Sequence, residues 1–249
     1  MRTLLVGFMT FTATTASAED TSVCFEEWEP FTFVEDGEPK GLYVDLFREG
    51  METLGYTVSF SEQPYRRCAR AVATGKMDAI LLSSGESDMV PSEASAVFWQ
   101  VGIIARPDFE PQTFTTLSDF DTARTGLVSG YDYESIVGND IANWNAEWVA
   151  TAILNLRKVN TGRIDLTIVD VPWAEINAKK ENLTFTILSP LVGAFPQVTY
   201  FSNARADLAP LWTSELNAMI ADGRVDAVYK SYTGVSFDAV NERNEKTLY

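Results

Sequence analysis

Two α/β lobes closing on a shared polar mouth are the fold class this sequence predicts, and three observations predict it. First, the stretch from Gln63 to Ser84 reads as a short helix, a glycine cap at Gly75, the triplet Lys76-Met77-Asp78 and a buried strand over Ala79–Leu82. Proline at Pro64 suits the helix start, and glycine suits the left-handed turn after its end. Second, the same grammar returns 87 residues later (162 − 75), as Gly162-Arg163-Ile164-Asp165, the apolar strand Leu166–Val169 and Asp170. Third, Phe98–Ala105 and Val198–Phe201 read as two connecting strands, so a second lobe is inserted into a discontinuous first one. The expected division is residues 19–104 with 196–249 for the first lobe and 105–195 for the second. Ligands of open α/β sheets sit at the carboxyl ends of strands, which places a solute between Ser83 and Asp170.

The elements follow in order. Met1-Arg2-Thr3, the apolar run Leu4–Phe11 and Ala16-Ser17-Ala18 have the three regions of a secretory signal peptide, with cleavage expected after Ala18. Residue 19 is Glu and not Cys, so nothing marks a lipid anchor, and no stretch is long enough for a bilayer span. The expected compartment is the periplasm. A strand Ser22–Phe25 opens the mature chain, and a loop around Pro30 presents Trp28 and Phe31. Asp36-Gly37 signals a turn. Val44, Phe47, Met51 and Leu54 keep a helical period that Gly55 ends, and Thr57–Phe60 alternates as a strand. The first lobe thus begins β–α–β–α–β, with mainly parallel strands flanked by helices. In the second lobe we expect a strand Thr125–Val128, a helix Asn145–Val159 carrying Trp148, Ala152 and Leu156 on one face, a strand Ile164–Val169, a helix Val171–Lys179 and a strand Phe185–Leu188. Helices Leu208–Ala221 and Asp226–Tyr232 precede a polar tail.

Composition narrows the chemistry. The chain of 249 residues carries 19 basic and 35 acidic residues, a formal charge of −16, or −17 once Arg2 leaves with the leader. Such a surface repels nucleic acid and anionic membrane and favours cationic solutes. The sequence contains no histidine, which removes Ser-His-Asp and Cys-His catalysis and His-ligated zinc. No metal or cofactor is expected. Cys24 and Cys68, in an oxidising compartment, are expected to bridge the first strand to the Gln63–Ser84 helix; the alternative is two buried thiols.

Over nearly the whole mature chain the residues resemble the family 3 periplasmic solute-binding proteins, the amino-acid receptors of bacterial ABC importers. The pieces that carry the resemblance are Trp28-Glu29-Pro30-Phe31, Gly41–Asp45, Gly75–Ala79, Gly126–Gly130, Gly162–Asp165 through Asp170, and Ala221-Asp222-Gly223. Each is weak alone, and their order is what makes them specific. The resemblance implies the periplasmic-binding-protein fold, a monomer, a small-molecule solute and a membrane permease as partner. It also implies a site: Trp28 against the ligand, Tyr65 on the opposing side, the Ser83-Ser84-Gly85 loop donating hydrogen bonds, and Asp170 holding an ammonium group. Ordinary packing is the alternative for Trp28 and Tyr65. A helix N-cap before Val171-Pro172 is a second role for Asp170, compatible with the first.

Two departures from the family pattern shape the expected ligand. The arginine that forks the ligand carboxylate in amino-acid binders falls at Val90, after Met89, and a threonine that assists it falls at Asp132. A buried ligand carboxylate would lose its cation and meet an anion, at a cost of several kcal/mol. The expected solute is therefore a small amine or cation-bearing molecule, or an amino-acid derivative held without the usual clamp. Arg66 and Arg67 are the alternative anchors. Two other functions stay open: a cyclohexadienyl-dehydratase-like enzyme working through Glu86, Asp132 and Asp170, and a sensor presenting its solute to a membrane partner.

Overall fold

Asp78 and Asp165 hold matching places in two halves of the molecule. The computed structural model describes residues 19–83, 88–129, 133–138 and 140–248. In the first half the Asp78 carboxylate accepts the Ser22 N–H at 2.7 Å, and the Asp78 N–H returns to the Ser22 carbonyl at 2.9 Å. In the second half Asp165 accepts the Arg124 N–H at 2.9 Å, and its own N–H reaches the Arg124 carbonyl at 2.7 Å. Each aspartate thus satisfies the backbone of one strand, within it at Ser22 and just before it at Arg124, while opening the neighbouring one. Gly75 and Gly162 precede them with φ of 70° and 67°, the left-handed conformation that glycine adopts without a Cβ clash.

The first half orders its strands Tyr56–Glu62, Glu19–Phe25, Ala79–Ser83 and Gly193–Phe201. The second orders Val97–Ala105, Leu166–Asp170, Thr125–Val128 and Ala146–Val149. Within each half the three strands other than the long one run parallel. The long strands, Val97–Ala105 and Gly193–Phe201, pair with one another over residues 97–101 and 193–197, and each then continues into a different half. They are the two crossovers of a two-lobed periplasmic-binding-protein fold, mixed α/β throughout.

Each half buries its own apolar cluster. In the first, Phe47, Tyr43 and Trp212 bring the helices Leu42–Thr53 and Leu208–Ala221 onto one face of the sheet, with Phe47 and Trp212 ring centroids 4.6 Å apart. On the other face the helix Tyr65–Ala73 rests on the Cys24–Cys68 disulfide, which joins it to the first strand as the compartment argument expects. In the second half Phe120, Trp144 and Ile103 fill one face, while Leu156, Val159 and Val171 fill the other.

Two stretches depart from the sequence reading. The helix expected over Asn145–Val159 is a strand, Ala146–Val149, followed by a helix, Ala152–Asn160. Thr151, extended at the N-cap, marks the true start; Trp148, assigned to a helix face, lies on the edge strand and is 59% exposed. The polar tail contains a further helix, Phe237–Asn244, whose N-cap Ser236 accepts the Ala239 N–H at 3.1 Å. Beyond it, Leu248 donates to the Leu191 carbonyl at 2.8 Å, so the end of the described chain lies against the second half. The candidate leader 1–18 and residues Ser84, Gly85, Glu86 and Asp132 lie outside the described residues.

Candidate functional site

A cavity of about 720 Å³ opens where the carboxyl ends of the central strands from both halves meet. Trp28, Tyr65, Ser83 and Asp170, four residues named from sequence, all line it. Asp170 closes the strand Leu166–Asp170 and caps the helix Val171–Glu181, accepting the Trp173 N–H at 2.9 Å. The Trp28 indole N–H reaches the same Oδ1 at 3.4 Å from the other half. Asp170 is 8% exposed, and among the described residues its Oδ2 has no hydrogen-bond partner. Burial pushes its carboxyl up to about 7, against the lowering pull of the Trp173 amide, the Trp28 indole and the Gln100 amide.

The first half supplies a second polar pair. Tyr65 begins the helix stapled by the disulfide, and its hydroxyl lies 2.7 Å from Ser83 Oγ. Ser83 is buried at the end of its strand, immediately after Leu82, whose φ of 51° is strained for a residue with a branched side chain. Glu26 accepts the Tyr65 backbone N–H at 3.2 Å, so the rim carboxylate helps to start that helix.

Nine lining residues escaped the sequence reading, among them the polar or aromatic Glu26, Glu27, Thr32, Trp99, Trp173 and Gln197. Trp99 and Gln197 sit on the two crossovers, where their neighbours pair as core strand. Nothing local separates them from packing residues. Trp173 did carry a signal, an aromatic three residues after an N-cap at a strand's carboxyl end.

No lysine or arginine lines the cavity among the described residues. Residues 84–87 and 130–132 add none by sequence. Arg66 and Arg67 are exposed on the helix Tyr65–Ala73 and do not line the cavity. Val90 pairs with Phe201 and packs on the first core, while Met89 is buried beside the disulfide. Among the described residues, Glu29 of the first half pairs with Lys180, at the far end of the helix that Asp170 begins, and Arg243 pairs with Glu175 of that same helix at 3.6 Å. Among the described residues there is no cluster able to hold a metal ion, and no helix long and apolar enough to cross a membrane.

Residues 22–88 match the bacterial extracellular solute-binding proteins, family 3. No curated protein matches the chain by sequence. Solved structures match its fold. A probable amino-acid ABC transporter extracellular-binding protein from Bacillus subtilis superposes with a TM-score of 0.76 at 14% identity, covering 87% of this chain and 98% of that one. The L-cystine solute receptor of Neisseria gonorrhoeae, unliganded and open, gives 0.69 at 18%, covering 88% and 94%. An ancestral amino acid-binding protein, a precursor of cyclohexadienyl dehydratase, gives 0.67 at 18%, covering 86% and 95%. By sequence over residues 22–88 and by fold over most of its length, the chain is therefore similar to the family 3 extracellular solute-binding proteins.

Proposed function

We propose that this chain is a non-enzymatic periplasmic receptor that captures a small cation-bearing solute between its two lobes and delivers it, as a monomer, to the membrane permease of an ABC importer. The lobes, residues 19–104 with 196–249 and residues 105–195, rock about the paired crossovers and close on the ligand. The observation that carries this reading is the lining itself: three carboxylates, four aromatic side chains and no basic residue among those described. A ligand carboxylate would enter such a cavity without a counter-ion, whereas a cation meets Asp170 and ring faces.

Under this reading Trp28 and Tyr65 flank the solute, Ser83 and the Ser84-Gly85 segment supply hydrogen bonds, and Asp132 adds negative charge from the second lobe. The Cys24–Cys68 bridge holds the helix that carries Tyr65. A thermal-shift screen of amines, amino acids and carboxylates tests it. Amines or other cations should raise the melting temperature in a concentration-dependent way, because a ligand that binds only the folded state stabilises it. A shift with simple carboxylates and none with cations would contradict it.

A further inference from the structure

We propose, resting on the lobe motion described above and on no particular solute, that residues 237–248 form a strap, a third link between the halves that limits how far they part. Its two ends are seated in different cores. At one end Phe237 is buried in the first half, its ring 5.2 Å from that of Tyr229 and its N–H donating to Asp226 at 3.0 Å. At the other end Leu248 packs on the second core. There the Leu191 N–H donates to the Lys246 carbonyl at 3.1 Å, and the Leu248 N–H donates to the Leu191 carbonyl at 2.8 Å. Leu191 and Thr247 thus make a parallel bridge, just before the crossover Gly193–Phe201 begins.

Between its ends the strap touches the hinge. Asn244, the last residue of the helix Phe237–Asn244, accepts from the Gln100 side chain, which is buried on the other crossover beside the cavity residue Trp99. Arg243 reaches Glu175, on the helix that Asp170 caps. The strap has little length to give. Only Glu245 separates Asn244 from Lys246, and one residue spans at most about 3.6 Å. Glu245 and Lys246 also continue the helical turn, their N–H groups on the Asn241 and Arg243 carbonyls at 3.1 Å each. A motion that carries Leu191 away from this helix must therefore fray the turn or pull the tail off the second half. Its hold on that half is two backbone hydrogen bonds, one leucine and one partly exposed ion pair, a restraint that shifts the balance of open and closed forms and does not lock it.

The test is electron–electron double resonance between nitroxides on Lys76→Cys and Lys179→Cys, one exposed position in each half, with no solute present. Three forms are compared: the full chain, the full chain with Leu248→Asp, and a chain stopped after Glu245, the point variant carrying the test if the stopped chain does not fold. Loss of the strap should widen the distance distribution and move its maximum several ångströms outward. The Leu191 amide, deprived of its acceptor, should exchange at least about tenfold faster in the stopped chain. A shift in the stopped chain alone supports the strap and assigns its hold to the backbone pair and not to the Leu248 side chain. A distribution as broad in the full chain as in the stopped one, or a maximum that moves inward on release, overturns the strap and leaves the moving lobes standing. One narrow maximum, the same in all three forms, overturns the strap and the lobe motion together.

Discussion

Trp28 and Asp170 meet across the cleft, the indole N–H of one lobe 3.4 Å from the carboxylate of the other. The contact couples lobe position to the charge at the centre of the cavity. Replacing Trp28→Phe keeps a ring and removes the donor. Asp170 loses one of the bonds that favours its ionised form, and its pKa rises further. Cation affinity at pH 7 should fall about tenfold, a figure consistent with one charge-assisted hydrogen bond plus a weaker ring face. Calorimetry of the variant at pH 7 and pH 9 separates the two parts, because only the proton-linked part recovers at the higher pH.

Asp170 should make both binding and stability depend on pH. Its carboxyl ionises at about 7 in the folded chain, above its ordinary value of 3.8. The folded state therefore holds the proton more tightly than the unfolded one, and stability declines as pH rises from about 4 to 7, then levels off. The cost of ionising it unliganded is on the order of 4 kcal/mol. A cation reverses that cost, so apparent affinity should rise about tenfold per pH unit from 5 to 7 and plateau above. Titrations at four pH values check the slope; a flat profile would remove Asp170 from the site.

The disulfide should matter for both the fold and the site. Cys24 and Cys68 are separated by 44 residues, and closing a loop of that length restricts the unfolded chain by about 4 kcal/mol in the chain-entropy account. The Cys24→Ala/Cys68→Ala variant should lose stability of that order in denaturant titrations. It should also bind its solute more weakly, since Tyr65 starts the helix that the bridge holds in place.

Glu29 and Lys180 make an ion pair between the two halves, outside the cavity lining. The pair is partly exposed, so its contribution is at most about 1 kcal/mol and screens with salt. Replacing Lys180→Ala should weaken solute binding by no more than about fivefold and flatten its dependence on ionic strength. Affinities measured at two salt concentrations check this, and a hundredfold loss would mean that Lys180 touches the solute.

Much of the fold was legible because both halves spell the same local chemistry. Gly75 and Gly162 need positive φ, and Asp78 and Asp165 need to cap a neighbouring strand, so each leaves its residue type at a fixed offset. The helix over Leu208–Ala221 was read to the residue from its apolar content. The stretch before Thr151 misled because Trp148 and Val149 continue a helical period by chance, while the pairing of Ala146–Val149 with Thr125–Val128 is a long-range fact. The N-cap Thr151 was the available correction.

The cavity was legible only in part, for a related reason. Ser83 and Asp170 end strands, where sequence signals are strong, while Trp28 and Tyr65 were marked by the family resemblance. Trp99 and Gln197 lie inside the crossovers, and their exposure to the cleft depends on where two strands part between lobes. Residues within a paired strand carry no local mark of such a divergence.

The central claim is that the cleft recognises positive charge through Asp170 and rings. Tryptophan fluorescence during titration at pH 8 with the cation that gives the largest thermal shift, for the natural chain and for Asp170→Asn, tests it most directly. The Asn variant keeps the helix cap and removes the charge. We expect a saturable signal in the natural chain and a loss of at least about a hundredfold in affinity in the variant, as for an ion pair screened from water. Equal affinity in both, or a saturable response to an anionic solute in place of the cation, would contradict the account.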